Sequence, residues 1–381
     1  MVAVLHVSQP TDGGVGRYVG ALCADQRARG WNVAVACPPG THLATGLAAA
    51  GVAHHAWHAE RGIGASIGRE THRLGRLIRD VAPDVIHLHS SKAGLAGRLA
   101  VRGRLPTIFQ PHGWSWLAAR RGMAWAVTAG ERALANWTTL YVCVGRGEAA
   151  HATARGIAGR YSVVHSGVDL GHFQPGGERG RRVARHRLGI APDTPLVVCV
   201  GRVTRQKGQD RLLAAWPDVR ARRADATLAL VGGGDLLAPM REQETPGVIF
   251  AGATEDTRSW YAAADLIVLP SRWEGMPLTM LEALAVGRPV VGTAIPGIAD
   301  SLPAGCGAVV PPDDLAALAE AIAYRVNRPD VARTEGANGA RYAAVRADIR
   351  RTHERLATIT ARISYLHRRR TAAGRLAWTR G

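Results

Sequence analysis

Two series of short, β-branched apolar runs, separated by helical patterns, constrain the fold of this chain more than any other feature. Repeated β-α units of this kind favour parallel sheets with helices on both faces. The first series predicts strands over residues 2–8, 32–37, 85–89, 107–111, 139–144 and 162–165. The second predicts strands over residues 196–200, 227–231, 248–251, 266–269, 289–292 and 308–310, with helices over 209–222, 278–286 and 313–326. Residues 169–194, rich in Gly, Pro and Arg without an apolar period, predict a linker between the series.

The predicted fold class is therefore α/β, with two doubly wound Rossmann-like domains. Parallel sheets of this type bind ligands beyond the carboxyl ends of their strands, so we expect the site in a central cleft that both domains face. The predicted divisions are an N-terminal domain over residues 1–172, a C-terminal domain over 173–344, and a helical segment with a basic tail over 345–381. The helical pattern of this last segment runs over residues 345–366.

Composition limits the class and location of the protein. The 381 residues contain no apolar run of 18 or more, and the chain opens on a predicted strand, so neither a membrane span nor a signal peptide is predicted. Five dispersed cysteines without metal-type spacing predict buried thiols in a reducing cytoplasm. The net charge of +18 raises the alternative of a nucleic-acid binder, but no motif of interleaved basic and aromatic residues supports it.

The stretch over residues 265–293 carries the strongest chemical signal. A buried strand ends just before Glu274, a Gly-Met-Pro turn follows, and a helix then carries Glu282. We expect Pro277 at the first helical position, where a proline costs least. The amides of Gly275 and Met276 and the positive end of the helix dipole would then favour an anion, while the two carboxylates favour hydroxyl groups. Phosphate and hydroxyls together indicate a nucleotide-sugar.

Two further loops follow predicted strands and suit the same ligand. Arg202 and Lys207 can clamp a diphosphate, and the chain has only one other lysine, Lys92. Gly14 and Gly16 lie in a glycine-rich turn whose amides can approach phosphate, although a purely structural turn is the alternative. The turn lacks the Gly-x-Gly-x-x-Gly spacing and no acidic residue ends the second strand, which disfavours a nicotinamide cofactor. We expect no cofactor and no bound metal.

Five elements in this order resemble a retaining glycosyltransferase of family four, of the Glu-x7-Glu type. They are Gly13-Gly14-Val15-Gly16-Arg17, His112-Gly113, Ser166-Gly167-Val168-Asp169 with Phe173, Gly201-Arg202 with Lys207-Gly208, and Glu274 with Glu282. Each element alone is weak, but their joint order and spacing is specific, and the resemblance covers most of the chain. The stretches around Lys92 and His112 are similar to those of exopolysaccharide and lipopolysaccharide transferases.

The resemblance implies the GT-B architecture, with the C-terminal helix returning to the first domain. It also implies a metal-independent hexosyltransferase that uses a UDP-sugar or GDP-sugar with retention of configuration. Glu274 and His112 would be catalytic and contact the transferred sugar, Glu282 would hold the ribose, and Arg202 and Lys207 would hold the diphosphate. The resemblance places Met276 and Leu278 with Gly275 beside the donor. From their positions we expect Lys92 to contact an acceptor phosphate or hydroxyl, and Asp265 to cap or brace its strand.

The acceptor is the least constrained part of the function. Trp114, Trp116, Trp125 and Trp137 alternate with Arg120, Arg121 and Arg132, and eleven arginines face two acidic residues over 340–381. This composition predicts either a membrane-interface helix or a core-facing helix with solvated arginines. The resemblance favours a lipid-linked glycan or saccharide of cell-surface polysaccharide synthesis. We therefore expect a cytoplasmic enzyme, peripheral on the inner face of the plasma membrane. The alternatives are a soluble small-molecule or other lipid acceptor, and a sugar-nucleotide epimerase of the same architecture.

Overall fold

The chain divides into two compact units, each built around its own parallel sheet. Residues 1–119 and 121–378 are described by this computed structural model. The first unit contains Met1–His165 and the segment that starts at Arg351, and the second contains Ser166–Arg350. Two α/β units of this kind confirm the predicted fold class.

The sheet of the first unit has seven strands in the order β3-β2-β1-β4-β5-β6-β7, all parallel. The strands are β1 (Ala3–Ser8), β2 (Asn32–Cys37), β3 (Ala53–Ala56), β4 (Val85–His89), β5 (Thr107–Gln110), β6 (Leu140–Cys143) and β7 (Tyr161–Val163). The central strands are buried on both faces, as their continuous apolar runs predict. The edge strand β3 is absent from the sequence prediction.

Helices and short 3-10 turns connect these strands and cover both faces of the sheet. They are α1 (Gly13–Ala28), α2 (His42–Ala49), α3 (Ile67–Val81), α4 (Ser90–Val101), α5 (Arg121–Leu134) and α6 (Arg146–Ala154), with 3-10 turns at Ser115–Leu117 and Ala135–Trp137. From β1 the chain runs outward to β2 and β3, and it then returns to form β4 on the other side of β1. The carboxyl ends of β1 and β4 therefore lie side by side. Loops after these neighbouring strands can therefore share one site.

The second sheet has six parallel strands in the order β10-β9-β8-β11-β12-β13. They are β8 (Leu196–Val200), β9 (Thr227–Val231), β10 (Val248–Gly252), β11 (Leu266–Leu269), β12 (Val290–Thr293) and β13 (Gly307–Val310). The helices of this unit are α7 (Gly177–Leu188), α8 (Gln209–Arg222), α9 (Leu237–Arg241), α10 (Thr257–Ala263), α11 (Leu278–Ala285), α12 (Pro296–Ala299), α13 (Leu315–Asn327) and α14 (Pro329–Arg346). Because β8 pairs directly with β11 and β11 with β12, the loops that follow these three strands lie at one edge of the sheet.

The prediction of a linker over residues 169–194 is wrong for its central part. Helix α7 occupies Gly177–Leu188, and its Arg185 side chain is buried against Asp265 and several backbone carbonyls. Arg181 of the same helix also donates to the Asp265 carboxylate. The buried face of this helix is formed by the aliphatic stems of arginines whose charged ends are paired. Because arginine counts as a charged residue, a search for apolar periodicity does not detect this helix.

The predicted C-terminal helix over residues 345–366 is two helices. Helix α14 ends at Arg346, and α15 (Ile349–Trp378) begins after an irregular pair of residues. At this break the backbone of Val168 bonds to Ala347 O and Ile349 N. Helix α15 then buries Leu356 against Val4 and Val85 in the first unit's core. No helix among the described residues is long and apolar enough to cross a membrane.

Candidate active site

Glu274 lies beyond the carboxyl end of β11 and is held by hydrogen bonds from two sides. Lys207 Nζ lies 2.5 Å from its Oε1, and Ser271 Oγ donates to the same oxygen at 2.9 Å. The Ser271 carbonyl accepts a bond from Thr293 Oγ1 at the end of β12. Three neighbouring strand ends therefore fix the position of one largely buried carboxylate.

Glu282 lies in α11 and is fully buried, so it is not part of a surface ion pair. Tyr261 of α10 donates a hydrogen bond from its hydroxyl to Glu282 Oε2 at 2.6 Å. Pro277 precedes the helix instead of opening it, with an extended φ of −69° and ψ of 122°. The prediction that Pro277 occupies the first helical position is therefore wrong by one residue. Since Leu278 opens the helix, its amide and those that follow in the first turn have no carbonyl four residues back within the helix.

Arg202 and Lys207 share the loop between β8 and α8. The Arg202 carbonyl accepts a bond from Gln209 Nε2, which ties the loop to the start of α8. Gly208 precedes this helix with a φ of +70°, and an added Cβ there would overlap with the Pro270 carbonyl after β11. Only glycine satisfies both conditions. The loop therefore packs directly on the strand end that leads to Glu274, which brings Lys207 to it.

The glycine-rich turn begins α1 just beyond β1, and its glycines differ in role. Gly14 is exposed at the first turn of the helix. Gly16 is buried, and an added Cβ would overlap with the Thr11 carbonyl. Gly16 is thus required by the close packing of the turn, whereas the backbone at Gly14 is open to a ligand. Phosphate contact by either residue stays a prediction.

His112 follows β5 in a backbone conformation that side chains rarely adopt, with a φ of +54°. Glu148 accepts bonds from the amides of Gly113 at 2.6 Å and Val144 at 2.7 Å, which holds the turn in place. Burial raises the pKa of Glu148 to about 7, against the opposing effect of the two amides. Strain held by such a network is common at functional sites.

Behind His112 lies a group of three histidines from two neighbouring strands, β1 and β4. His89 Nδ1 is 3.1 Å from His112 Nε2, and His6 Nδ1 is 3.0 Å from His89 Nε2. His87 stacks on His89 with ring centroids 4.1 Å apart. Burial lowers the pKa of His6 to about 4 and that of His112 to about 3, so these rings are neutral at neutral pH.

The side-chain nitrogens of His6, His87 and His89 lie within 4.8 Å of one another, close enough to hold a metal ion. Both nitrogens of His6 and both of His89 instead make hydrogen bonds within the protein. A ligand set needs free ring lone pairs directed at one point. We therefore interpret this cluster as a hydrogen-bonded group, and the absence of a metal stays a prediction.

Lys92 is buried inside the first unit. Its Nζ lies 2.6 Å from Glu70 Oε2 and donates to the Gly62 carbonyl at 2.5 Å. Glu70 also accepts bonds from Ser66 Oγ and the Glu60 amide. This placement uses the ammonium to hold the loop before α3, which favours a structural role over the predicted acceptor contact.

The tryptophan-arginine stretch divides into a buried part and an exposed part. Trp114 and Trp116 are buried and stack with centroids 4.4 Å apart, as the core-facing alternative predicts. Trp125 in α5 is 74% exposed and Met123 is 62% exposed. Arg120 and the last three residues of the basic tail lie outside the described residues.

Three residues of the second unit's site were not predicted from the sequence. Ser271 and Tyr261 orient the two glutamates, and Gly297 packs its backbone against Gly275, where a Cβ would overlap with the carbonyl. None belongs to a recognisable motif. The Pro-Gly pair at the start of α12 is the one local signal, because such a pair marks a tight backbone turn.

Comparison with known proteins defines the class of this fold and site. Residues 12–172 match the family described as Glycosyltransferase Family 4, and residues 194–327 match the family described as Glycosyl transferases group 1. The two matches fall in both units, and they contain the glycine-rich turn, Lys92, His112, Arg202, Lys207, Glu274 and Glu282. The first unit therefore contains a Glycosyltransferase Family 4 domain and the second a Glycosyl transferases group 1 domain.

Individual relatives and structures agree with these domain matches. The chain is 32% identical over 191 residues to a GDP-mannose-dependent phosphatidylinositol monomannoside mannosyltransferase of Corynebacterium glutamicum, across 47% of this chain and 50% of that protein. It is 35% identical over 203 residues to D-inositol 3-phosphate glycosyltransferase 2 of Catenulispora acidiphila, across 49% and 47%. The matched segments thus span about half of each relative's length.

Solved structures with the same fold cover nearly the whole chain. Sucrose-phosphate synthase of Thermosynechococcus elongatus superimposes with a TM-score of 0.81 at 23% identity, over 98% of this chain and 100% of that one. HepE of Anabaena in complex with UDP and glucose gives a TM-score of 0.81 at 20% identity, over 95% and 100%. These likenesses establish the GT-B fold.

Proposed function

We propose that this protein is a retaining glycosyltransferase that moves a sugar from a nucleoside-diphosphate sugar to an acceptor hydroxyl. One observation carries the proposal: Lys207, Glu274 and the first turn of α11 meet at the carboxyl edge of the second sheet. A cation, a carboxylate and the N-terminal turn of a helix in one place suit a ligand with both phosphate and hydroxyl groups.

The roles of the residues follow from their chemistry. Arg202 and Lys207 bind the diphosphate and stabilise its charge as it leaves, and the amides of Gly275, Met276 and Leu278 add further donors. Glu282, oriented by Tyr261, accepts bonds from the ribose hydroxyls. Glu274 faces the transferred sugar, where its negative charge stabilises the cationic character that develops at the anomeric carbon.

The Lys207–Glu274 contact gives the site a ligand-dependent switch of partners. Lys207 Nζ and Glu274 Oε1 lie 2.5 Å apart, so each charge neutralises the other. When a diphosphate binds, the ammonium can turn to the phosphate oxygens, which frees Glu274 for the sugar. The pairing of the two charges avoids an isolated buried carboxylate at Glu274, which is costly.

Retention and independence of metal ions are part of the proposal. The acceptor hydroxyl attacks on the face from which the diphosphate departs, and a diphosphate oxygen takes its proton. In place of a divalent cation, Arg202, Lys207 and the helix dipole balance the negative charge. EDTA is therefore expected to leave transfer unchanged. Product NMR is expected to show the anomeric configuration of the donor.

For the acceptor we propose a lipid-linked or saccharide hydroxyl of cell-surface glycan synthesis. The Corynebacterium relative is named for a phosphatidylinositol mannoside acceptor, which supports this choice. The inositol phosphate transferase of Catenulispora supports a soluble acceptor as the second candidate. Transfer of labelled sugar to lipid extracts, compared with transfer to inositol phosphate, decides between them.

We also propose that the protein works at the inner face of the plasma membrane. The exposed Trp125 and Met123 of α5 supply apolar contacts, and the net charge of +18 supplies attraction to anionic lipids. Binding to anionic vesicles at low salt, weakened by Trp125→Ser, is the expected result. A protein that stays in the supernatant at low salt contradicts this part.

A thermal-shift screen with UDP-, GDP- and ADP-sugars tests the donor class. A ligand that binds only the folded protein raises its melting temperature, by an amount that grows with concentration. We expect one nucleotide series to raise it. If none does at millimolar concentration, the glycosyltransferase proposal fails.

A further inference from the structure

The first unit contains a continuous file of hydrogen-bonded side chains that ends at His112. It starts at Gln26 in α1, whose Oε1 lies 2.8 Å from His6 Nε2. It passes from His6 Nδ1 to His89 Nε2 at 3.0 Å, and from His89 Nδ1 to His112 Nε2 at 3.1 Å. Gln26, His6 and His89 are completely buried. Of these four residues only His112 is partly exposed.

In such a file of neutral imidazoles all hydrogen bonds must point the same way, so only two arrangements of the protons are possible. A neutral ring carries one N–H and one bare nitrogen, so each ring that accepts on one side must donate on the other. The rings are neutral because burial holds the pKa of His6 near 4 and lowers those of His89 and His112 well below the ordinary range. The partner at one end therefore determines the tautomer of every ring.

Gln26 provides that fixed end. The structure directs its Oε1, which only accepts, at His6 Nε2, and in this orientation of the amide His6 carries its proton on Nε2 and leaves Nδ1 bare. His89 must then donate from Nε2 to His6, and His112 must donate from Nε2 to His89. The Nδ1 of His112 has no hydrogen-bond partner among the described residues, and His112 is the one member of the file that is partly exposed.

We propose that Gln26, His6 and His89 are positioning residues that fix His112 as the Nε2–H tautomer and present its Nδ1 as a hydrogen-bond acceptor. The inference rests on the proposed function only for the identity of the ligand. An acceptor nitrogen selects a group that can donate, which on a nucleotide-sugar is a hydroxyl of the transferred sugar. A carboxylate or phosphate oxygen, which only accepts, is disfavoured at this point.

The side chains around the file hold it without joining it. His87 stacks on His89 but sends its own bond sideways to Gln110 Oε1 at 3.1 Å. Tyr18 packs its ring edge-on against His112, with centroids 4.9 Å apart. His87 thus shares the packing of the file and lacks its hydrogen bonds, which makes it a matched control.

The direct test is the tautomeric state of the ligand-free protein. Nitrogen-15 NMR of ring-labelled histidines distinguishes Nε2–H from Nδ1–H imidazole, and single substitutions assign the signals. We expect Nε2–H at His6, His89 and His112. An Nδ1–H form at His112 overturns the inference, whatever the activity of the protein.

Two variants test the dependence on Gln26. Gln26→Met keeps the shape of the side chain but removes the acceptor, so His112 should populate both tautomers and kcat should fall about tenfold, a size typical of lost orienting partners. His87→Phe should leave the His112 tautomer unchanged. A His112 signal in Gln26→Met identical to that of the wild type overturns the inference.

The outcomes separate this inference from the proposed function. If the expected tautomers are found but no nucleotide-sugar is turned over, the proposed function is wrong and the inference about the His112 tautomer still holds. If transfer occurs and kcat in Gln26→Met equals that of the wild type despite mixed tautomers, the positioning role is wrong. Should Gln26→Met not fold, the wild-type spectrum alone still decides the direction of the file.

Discussion

At the scale of single residues, the candidate donor site depends on two carboxylates whose positions are set by hydrogen bonds from neighbouring side chains. Glu274 is held by Lys207 and Ser271, and Glu282 by Tyr261. Each orienting residue comes from a different element. Substituting a carboxylate removes its charge, whereas substituting its hydrogen-bond partner removes only its orientation, so the two effects can be measured separately.

Glu274→Gln removes the charge while keeping the size of the side chain. Because the charge acts on the transition state, we expect kcat to fall by about 100-fold or more, with the affinity for the nucleotide nearly unchanged. Steady-state kinetics with the best donor measures this. The control is Glu335→Gln, which breaks a similar carboxylate-arginine pair with Arg325 away from this edge. Near-normal transfer by Glu274→Gln contradicts the assignment.

Tyr261→Phe removes one hydrogen bond to Glu282 and leaves the ring in the core. A bond to a charged group contributes about 1.5 kcal/mol or more, so the Kd for the nucleotide should rise about tenfold with little change in kcat. Isothermal titration calorimetry gives the Kd. Tyr324→Phe, on an exposed side chain, is the control and should have no effect. Equal affinities of Tyr261→Phe and the wild type would show that the bond is unimportant for binding.

At the scale of elements, the sequence predicted the strands far better than the connections. The apolar run over residues 266–269 coincides with β11 because a strand buried on both faces must be apolar throughout. The edge strand β3 has the sequence Ala-His-His-Ala, half exposed, and gives no such signal. Helix α7 was missed because its packing relies on arginine stems and on Asp265, which lies about 80 residues further along the chain.

The same distinction applies to the candidate site. Motif residues at strand ends, such as Arg202 and Glu274, were predictable because a parallel sheet brings its carboxyl ends together. Tyr261 and Ser271 were not, because only the packing of α10 and the turn after β11 brings them to the glutamates. Lys92 follows a predicted strand end, yet it pairs with Glu70 of α3, about 20 residues earlier in the chain, and that packing has no signal in the sequence.

Asp265→Ala tests how α7 is attached to the second sheet. Asp265 accepts bonds from Arg181, Arg185 and the Leu196 amide, all at about 2.8–2.9 Å. Its loss leaves the buried Arg185 without a counter-charge, so the free energy of unfolding should fall by about 3 kcal/mol. Urea denaturation measures it. Asp225→Ala, which breaks an exposed pair with Arg223, should cost less than about 1 kcal/mol. Equal losses in both variants contradict the account of α7.

At the scale of the whole molecule, the neutral histidines should make the protein sensitive to mild acid. His6, His87, His89 and His112 have pKa values lowered in the folded state, so between pH 6.5 and their folded values the unfolded state binds more protons. Stability is therefore complete above pH 6.5 and falls as the pH falls. Glu148, with its pKa raised to about 7, acts in the opposite direction above pH 4.5.

On acidification the four histidines lower the free energy of unfolding and Glu148 raises it, so the net effect is a loss of stability. From pH 6.5 to 5.5 each histidine removes about 1 kcal/mol and Glu148 returns about 1, so the free energy of unfolding should fall by about 3 kcal/mol. Urea titrations at the two pH values measure the difference. His6→Asn should reduce the difference by about 1 kcal/mol. Stability that is constant or rises towards pH 5.5 would show that the cluster is not neutral in the folded protein.

The central claim is that the carboxyl edge of the second sheet binds a nucleoside diphosphate through Lys207. Calorimetric titration of UDP, GDP and ADP into the wild type and into Lys207→Met tests it most directly. We predict that at least one nucleotide binds the wild type, and that Lys207→Met weakens its binding at least tenfold, since a lost charged contact to phosphate exceeds about 1.4 kcal/mol. Absence of binding by all three nucleotides, or equal affinity in the variant, would contradict the claim.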